Sequence, residues 1–486
     1  RVIHSFFDGA ANTMSSRNPD QPDSLGPLAE PEPDSLMLPT VTDLTLQRLK
    51  QRLWCHWFGD SAPSPFPPLP HADAAPALLK RSLQRRLLRA RWASAVLWVV
   101  SLPLLYGLSH LTRMEAARRQ SLQRQADRPR KGLTIAVGNL VMGGTGKTPL
   151  VICLARALTE QGHQVAVLSR GYKRGGPRAS RQTELVVGPD CRDPSTGLLV
   201  SPEDTGDEPW LIAWRAKVPV AIGQDRCAAA SKLSQYFPEI TVWLLDDGLS
   251  QTSLNPHLRI LLLDHRGLGN GHCLPYGPLR TQWTKELGLQ WSEPSDNTGA
   301  QSKAAKLILA HPTGQPFEEL FEGLGLASPE RLAMSRSAAC WTRPSLRPEP
   351  SGQPTDPKLG LHEIRMSLEE GCQRLKTSGR LLVAAAGIAQ PHAFFKSLEA
   401  LGLAVQHRLE IANHHPNPGQ AIGAWMQEEK LPEDCILLTT EKDAVKLAWQ
   451  ANTGTGLPGV IEWWSLQLEL SIEPSSLEFV YGCKTT

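Results

Sequence analysis

Paired cysteines are missing from this chain: the nine present are scattered, none forms a Cys-x-x-Cys pair, and their number is odd. That pattern excludes a disulfide framework and a zinc ribbon, and it fits reduced thiols facing the cytosol. A strong charge excess is missing too. The formal net charge of +3 is too small to argue for a nucleic-acid partner. No solenoid-type repeat runs through the sequence. What is present is 486 residues with a 41% hydrophobic fraction, enough for two or three domains with a sizeable core. The chain begins at Arg1, so it reads as a translated fragment in which Met14 or Met37 is the expected start.

Residues 1 to about 75 are rich in Pro, Ser and Asp, with no lasting periodicity outside a stretch around Leu44–Trp57. Such a composition buries too little apolar surface to offset ordering entropy, and a mostly disordered tail is expected. A basic helix-like segment follows, carrying Lys80, Arg81, Arg85, Arg86, Arg89 and Arg91. It leads into the uncharged run Trp92–Leu108, close to the lower length for crossing a bilayer, before Arg113, Arg118 and Arg119. Trp92, Trp98 and Tyr106 are residues that favour the membrane–water boundary. Cations flank both ends, so charge gives no orientation, and a helix lying in the cytoplasmic leaflet and a true span both remain open. The run starts too far from the N-terminus to be a cleaved signal peptide.

From Gly132 to about Leu287, short β-rich runs alternate with helical periods. The expected strands are Leu133–Val137, Val165–Leu168, Leu185–Val187, Val218–Ile222, Val242–Leu245 and Arg259–Leu263. The expected helices are Thr148–Gln161, Glu208–Arg215 and Arg226–Tyr236. Apolar strands alternating with helices imply an α/β fold, a parallel sheet with helices on both faces. Residues from about Trp291 to Lys376 are rich in Ser, Pro and Gly, with only Ala304–Ala310 strand-like. A second α/β pattern then begins at Leu381. The expected division is therefore a tail over 1–77, a basic membrane-associated helical segment over 78–128 and a P-loop domain over 129–290. An insertion or linker over 291–376 and a smaller C-terminal α/β unit over 377–486 complete it.

The chemistry starts at Gly143-Gly144-Thr145-Gly146-Lys147-Thr148, between the apolar run Leu133–Val137 and the helix-forming stretch from Pro149. Strand, glycine loop and helix N-terminus in that order form a phosphate cradle. Backbone N–H groups and the helix dipole face the anion, lysine reaches the β/γ-phosphates and threonine meets Mg²⁺. Val141 stands where the strict Gly-x-x-x-x-Gly-Lys-[Ser/Thr] pattern has its first glycine. The expected nucleotide-binding residues are Val141, Met142, Gly143, Gly144, Thr145, Gly146, Lys147 and Thr148.

Thr241–Leu245 followed by Asp246-Asp247-Gly248 is a hydrophobic strand ending in carboxylates, the Walker B arrangement that holds Mg²⁺ beside a P-loop. Successive residues of an extended strand face opposite sides, so one of Asp246 and Asp247 is expected to face the metal and the other the loop behind. Asp207, in Gly206-Asp207-Glu208-Pro209, is either a helix N-cap or a general base at the ligand crevice. Arg170 follows a strand and suits a phosphate, although a solvated arginine is the ordinary alternative. The glycine- and proline-rich loops Asp264–Gly271 and Leu274–Arg280 are long enough to suggest function. Asn413-His414-His415-Pro416 has no matching ligand cluster nearby in sequence, which argues against a metal there.

This ordered set resembles the tetraacyldisaccharide 4'-kinase family, the lipid A 4'-kinases of Gram-negative-type bacteria. The resemblance covers roughly Arg91 to Leu447. It runs from Pro103-Leu104-Leu105-Tyr106-Gly107 through the Val137–Pro149 loop, where valine at 141 is the family's own form. It continues through Ser169–Tyr172, Gly206–Pro209, Asp246–Gly248, Gly269–Gly271, Pro278–Arg280, Ala386–Ala389 and Thr439–Ala444. The resemblance implies transfer of the ATP γ-phosphate to the 4'-hydroxyl of an acylated glucosamine disaccharide 1-phosphate. It implies ATP and Mg²⁺ as cofactors, and an acylated disaccharide lipid substrate. It also implies a monomer on the cytoplasmic face of the inner membrane, with no nucleic-acid partner. Lys147 would hold the phosphates, with Thr148 and Asp246 or Asp247 as metal ligands. Asp207 would act as base, His414 would orient it, and Arg280 and Arg170 would stabilise charge or bind the substrate phosphate. Two departures stand out: Ser250-Gln251 replaces the usual Gln-His after Asp-Asp-Gly-Leu, and Asn413 replaces an aspartate. A membrane-associated P-loop ATPase and a non-catalytic nucleotide- or lipid-binding relative are the alternatives.

Overall fold

The computed structural model describes residues 41–59, 77–124, 132–172, 174–176, 184–249, 254, 256–264, 266–280, 306–311, 330–348, 359–453 and 462–472. Ser250 and Gln251 fall outside them. The chain divides into two compact units, one drawn from Arg1–Met114 with Leu268–Gln282, the other from Glu115–Gly267 with Trp283–Thr486. The glycine- and proline-rich loop at 268–282, expected within the 129–290 domain, thus groups with the N-terminal helices.

In the first unit, the helix Val41–Phe58 occupies part of the expected tail. Leu44, Leu53, Trp54 and Trp57 are buried along it, so its local apolar stripe outweighs the polar composition around it. The helix Ala77–Arg124 carries Pro103 inside it. Its segment Gln84–Glu115 is long and apolar enough to cross a membrane, at about 48 Å for a rise of ~1.5 Å per residue. Trp92, Val96, Val99, Val100, Leu104 and Leu111 stand exposed on it. The loop packs Tyr276 edge-on against His56, Tyr106 and His272, with ring centroids 4.6, 5.2 and 5.0 Å apart.

The second unit is built on one 13-stranded sheet. Its strands are β1 (Leu133–Gly138), β2 (Val165–Ser169), β3 (Leu185–Val187), β4 (Val220–Ile222), β5 (Val242–Leu245), β6 (Leu258–Leu262) and β7 (Lys306–His311). They continue with β8 (Glu330–Pro348), β9 (Leu359–Ser367), β10 (Leu382–Ala386), β11 (His407–Glu410), β12 (Ile436–Thr440) and β13 (Glu462–Ile472). The spatial order is β11-β10-β12-β13-β8-β7-β6-β1-β5-β2-β4-β3, with β9 paired to β8. β1 lies between β5 and β6, parallel to both, and β2 lies parallel to β5. The carboxyl ends of β1, β2, β5 and β6 therefore open on one edge, where ligands of open α/β sheets bind.

Two findings correct the expected division. Residues 330–348 and 359–367, placed in a linker, form strands, and β8 runs parallel to β7 and antiparallel to β13. The two α/β halves are thus one sheet rather than separate bodies. β8 escapes a reading by composition because Ser335, Arg336, Ser337, Arg343 and Pro344 interrupt its apolar pattern, while Cys340, Trp341 and Thr342 are buried. The helix Leu368–Thr377 also lies in the expected linker, capped by the Ser367 side chain accepting from the Glu370 N–H.

The core explains the helix placement. Leu150, Leu154 and Leu158 recur at i, i+4 and i+8 on the helix Lys147–Glu160 and are fully buried with Val151 and Ala155. Each buried leucine contributes roughly 1.5–3 kcal/mol. The helix Asp207–Ala216 buries Trp210, whose Nε1–H donates to the Val200 carbonyl at 2.9 Å. Arg215 on that helix pairs with Glu441, the first residue of the helix Glu441–Thr453, joining the two halves of the sheet unit. Burial pushes the Glu441 carboxyl up to about 7 against the pull of Arg215.

Candidate active site

The P-loop follows β1 without a break. Gly146 takes φ +91° and precedes the helix Lys147–Glu160, a turn that a side chain would strain. Gly143 has φ +100°, and a Cβ there would meet Arg266 Nη1 at 2.8 Å. Arg266 is buried, paired with Asp264 at 2.6 Å, and donates to the Met142 and Gly144 carbonyls at 3.1 and 3.3 Å. The loop after β6 thereby braces the P-loop and leaves its N–H groups for an anion. Inside the loop the Thr145 hydroxyl is buried without a hydrogen-bond partner, an orphan that a phosphate oxygen would satisfy. Val141 is buried, and Thr148 is half-buried in the first helical turn.

Lys147 Nζ donates to Asn139 Oδ1 at 2.8 Å and to Asp247 Oδ1 at 2.9 Å. The carboxylate pair does not divide across an extended strand as expected. β5 ends at Leu245, and Asp247 turns into the left-handed region at φ +50°. This turn sends Asp247 to Lys147 and leaves Asp246 buried, accepting from the Ser169 hydroxyl at 3.1 Å. The Asp246 carboxyl is pushed up to about 6, by burial first and then by the negative charges of Glu208 and Asp247.

Asp207 shows the reverse. It opens the helix Asp207–Ala216 but makes no side-chain cap; Gly206 occupies the cap position. Its carboxylate instead meets His414 Nδ1 at 3.1 Å and Lys446 Nζ at 2.9 Å. Burial alone would raise the carboxyl, but the His414 hydrogen bond and the charges of Lys446 and Lys442 outweigh it. They hold Asp207 below its ordinary range. Lys442 Nζ lies 3.2 Å from His414 Nε2 and 3.4 Å from Asn413 Oδ1. An ammonium has only donors, so Nε2 accepts and the His414 proton sits on Nδ1, aimed at Asp207. Asn413 therefore shares Lys442 with His414, and the imidazole is oriented without a carboxylate at 413.

The charges of the two ends bear on one another. Asp207 is followed by Glu208, whose charge bears on Asp246; Asp246 is followed by Asp247, which pairs with Lys147. The second half of the sheet unit also reaches the P-loop directly, as Gln390 Nε2 donates to the Gly144 carbonyl at 3.5 Å. Asp443 fixes the Ala386–Ala389 turn by accepting from the Gly387 N–H at 2.8 Å and the Thr440 hydroxyl at 2.6 Å. Arg170 is exposed at the carboxyl end of β2. Arg280 belongs to the first unit, at the end of its loop.

A model of the family described as tetraacyldisaccharide-1-P 4'-kinase matches residues 93–316 and 326–482. The chain belongs to the tetraacyldisaccharide-1-P 4'-kinase family. Among its relatives, the tetraacyldisaccharide 4'-kinase of Dechloromonas aromatica is 33% identical over 406 residues, covering 83% of this chain and 97% of that protein. The Chromobacterium violaceum tetraacyldisaccharide 4'-kinase is 32% identical, with 81% and 97% covered. A crystal structure of LpxK from Aquifex aeolicus in complex with ATP superposes with a TM-score of 0.52 at 25% identity, covering 79% of this chain and 98% of that one.

In this kinase the residues that sequence reasoning passed over are Lys446 and Arg266. Lys442 and Lys446 are four apart on the helix Glu441–Thr453, so both cations share one face. That spacing was the available signal. Arg266 had a weaker one, its position just beyond β6 beside Asp264. The helix Val41–Phe58 precedes the residues that match the family model.

Proposed function

We propose that the chain carries out its family's reaction, transfer of the ATP γ-phosphate to the 4'-hydroxyl of a tetraacylated glucosamine disaccharide 1-phosphate, with the two ends of this site dividing the work. The P-loop amides and Lys147 hold the β/γ-phosphates, and Lys147 exchanges its contact with Asp247 for the nucleotide. Mg²⁺, when bound, neutralises charge spread over the β- and γ-phosphate oxygens. Thr148 with Asp246 or Asp247 would hold it. The donor set fits a divalent cation, because Asp246 lies buried where burial and the like charges of Glu208 and Asp247 outweigh the opposing charge of Lys147. Asp247 already has Lys147, which makes Asp246 the stronger candidate.

The observation that carries the acceptor end is the Asp207–His414–Lys446 cluster. Held ionised by two cationic or donor partners, Asp207 accepts the proton of the sugar hydroxyl, and His414 fixes the direction of its lone pairs. Phosphoryl transfer depends mainly on position and charge neutralisation, so a weak base held ionised near neutral pH suffices. Arg170 and Arg280 supply positive charge for the substrate phosphate or the transferring group. The apolar helix segment Gln84–Glu115 brings the monomeric enzyme to the cytoplasmic face of the inner membrane, where a tetraacylated substrate resides.

The test is to incubate the full chain in detergent with γ-labelled ATP, Mg²⁺ and the tetraacylated disaccharide 1-phosphate. Label in the lipid is the expected outcome. Label only in free phosphate would make the chain an ATPase, and ATP binding without turnover would make it a non-catalytic relative.

A further inference from the structure

In the first unit, the helix Val41–Phe58 and the apolar helix enclose a cleft of about 530 Å³, lined by Arg48, Gln51, Arg52, Cys55, His56 and Trp98. No carboxylate is among its described lining residues. Arg48 and Arg52 are four residues apart and share a helix face. Burial lowers the Arg48 guanidinium, and the neighbouring charges of Arg91 and Arg52 lower it further. Three cations thus crowd together without counter-charge among the lining residues. Arg48 Nε and His56 Nε2 are each buried without a hydrogen-bond partner. Two orphaned nitrogens beside crowded guanidinium groups make an anion site that no described residue satisfies.

Trp98 points to the source of the anion. It lies within the segment long and apolar enough to cross a membrane, among exposed Val96, Leu97, Val99 and Val100, and its ring meets His56 at 5.4 Å. The cleft is cationic on the side of the helix Val41–Phe58 and aromatic on the side of the apolar helix, the order of groups along a lipid from phosphate to glycerol and acyl chain. We propose that this cleft binds the phosphate of an anionic membrane lipid, with Arg48 and Arg52 as anion ligands, His56 as hydrogen-bond partner and Trp98 against the glycerol. The helix that supplies the arginines precedes the family-matched residues, and Trp98 alone of the lining residues falls within them. This site rests on the membrane association proposed above and not on the phosphoryl-transfer chemistry.

Short-chain dihexanoyl phosphatidylglycerol, titrated calorimetrically into the full chain in non-ionic detergent without ATP, tests the site. One saturable site per chain is expected. The double substitution Arg48→Gln/Arg52→Gln should weaken binding by about tenfold or more, the effect of losing charge-assisted bonds to phosphate. The control Arg85→Gln/Arg89→Gln removes the same charge from exposed positions and should change affinity less than about twofold. Kinase turnover on detergent-dispersed substrate should be unchanged in both variants, which shows that the arginine-depleted protein is folded. Equal losses in the two variants, or no saturable site, would reduce the cleft to general electrostatic attraction and overturn the proposal. Inorganic phosphate binding as tightly as phosphatidylglycerol, or dihexanoyl phosphatidylcholine doing so, would also overturn it.

Discussion

Two buried aspartates at this site sit in opposite electrostatic surroundings. Asp246, at the phosphate end, has Glu208 and Asp247 as neighbours and is pushed up to about 6. Asp207, at the acceptor end, has His414, Lys446 and Lys442 and is held below its ordinary range. Burial is common to both, so it cannot account for the difference. The neighbours decide it. At Asp246 the like charges outweigh the opposing Lys147, in keeping with its proposed role as a cation ligand; at Asp207 the cations prevail, in keeping with its proposed role as a base. Buried carboxyl groups driven apart in this way mark a division of roles.

Breaking the phosphate end should have the largest effect. Lys147→Ala removes the ion-pair partner of Asp247 and the group proposed to reach the phosphates, and transfer should fall about 10³-fold in labelled-lipid assays. Lys446→Gln should weaken the contrast without abolishing it. As the proposed base Asp207 works ionised, so its depressed value should set an acid limb below which activity is lost as pH falls. Removing the Lys446 charge raises that value, so the limb of the pH–rate profile should move to higher pH, with turnover lower by about tenfold.

Asp246→Asn sharpens the other side. The folded-state value lies above the unfolded one, so Asp246 adds stability at low pH that is lost as pH rises through about 6. Removing the charge should stabilise the protein by about 2–3 kcal/mol above that pH, an advantage that fades below about pH 4. Thermal melts at pH 5 and pH 8 would read this, and turnover should need more Mg²⁺. The smallest effect is expected for Asn413→Asp. Lys442 already holds His414, so restoring a carboxylate should change turnover by about fivefold or less in steady-state assays.

Much of the phosphate end was legible in the sequence. β1, the glycine turn and Lys147 are contiguous, and the aspartates follow directly on β5, the strand that pairs beside β1. The Asp207–His414 contact spans 207 residues of chain and was reachable only through the family resemblance, since spacing says nothing about such a pairing. Lys446 stayed hidden because it lies two residues beyond the Thr439–Ala444 motif, and its contact with Asp207 appears only once Glu441–Thr453 is seen as a helix. β8 was missed for a different reason. Pro344 and the polar residues around it argue against a strand locally, while pairing with β13 and β9 satisfies the backbone from outside. The apolar helix was visible from composition alone, whereas the arginine cleft beside it required the burial of Leu53 and Trp57 to turn the short helix.

The most direct test of the acceptor end is Asp207→Asn, measured for labelled-lipid formation and for ATP affinity in the same preparation. The account predicts that transfer falls by at least about 10²-fold while ATP affinity stays within about twofold, because the acceptor end touches the proton and not the nucleotide. Transfer at the unaltered rate would contradict it and leave the Asp207 ion pair with Lys446 as a structural contact between the two halves of the sheet.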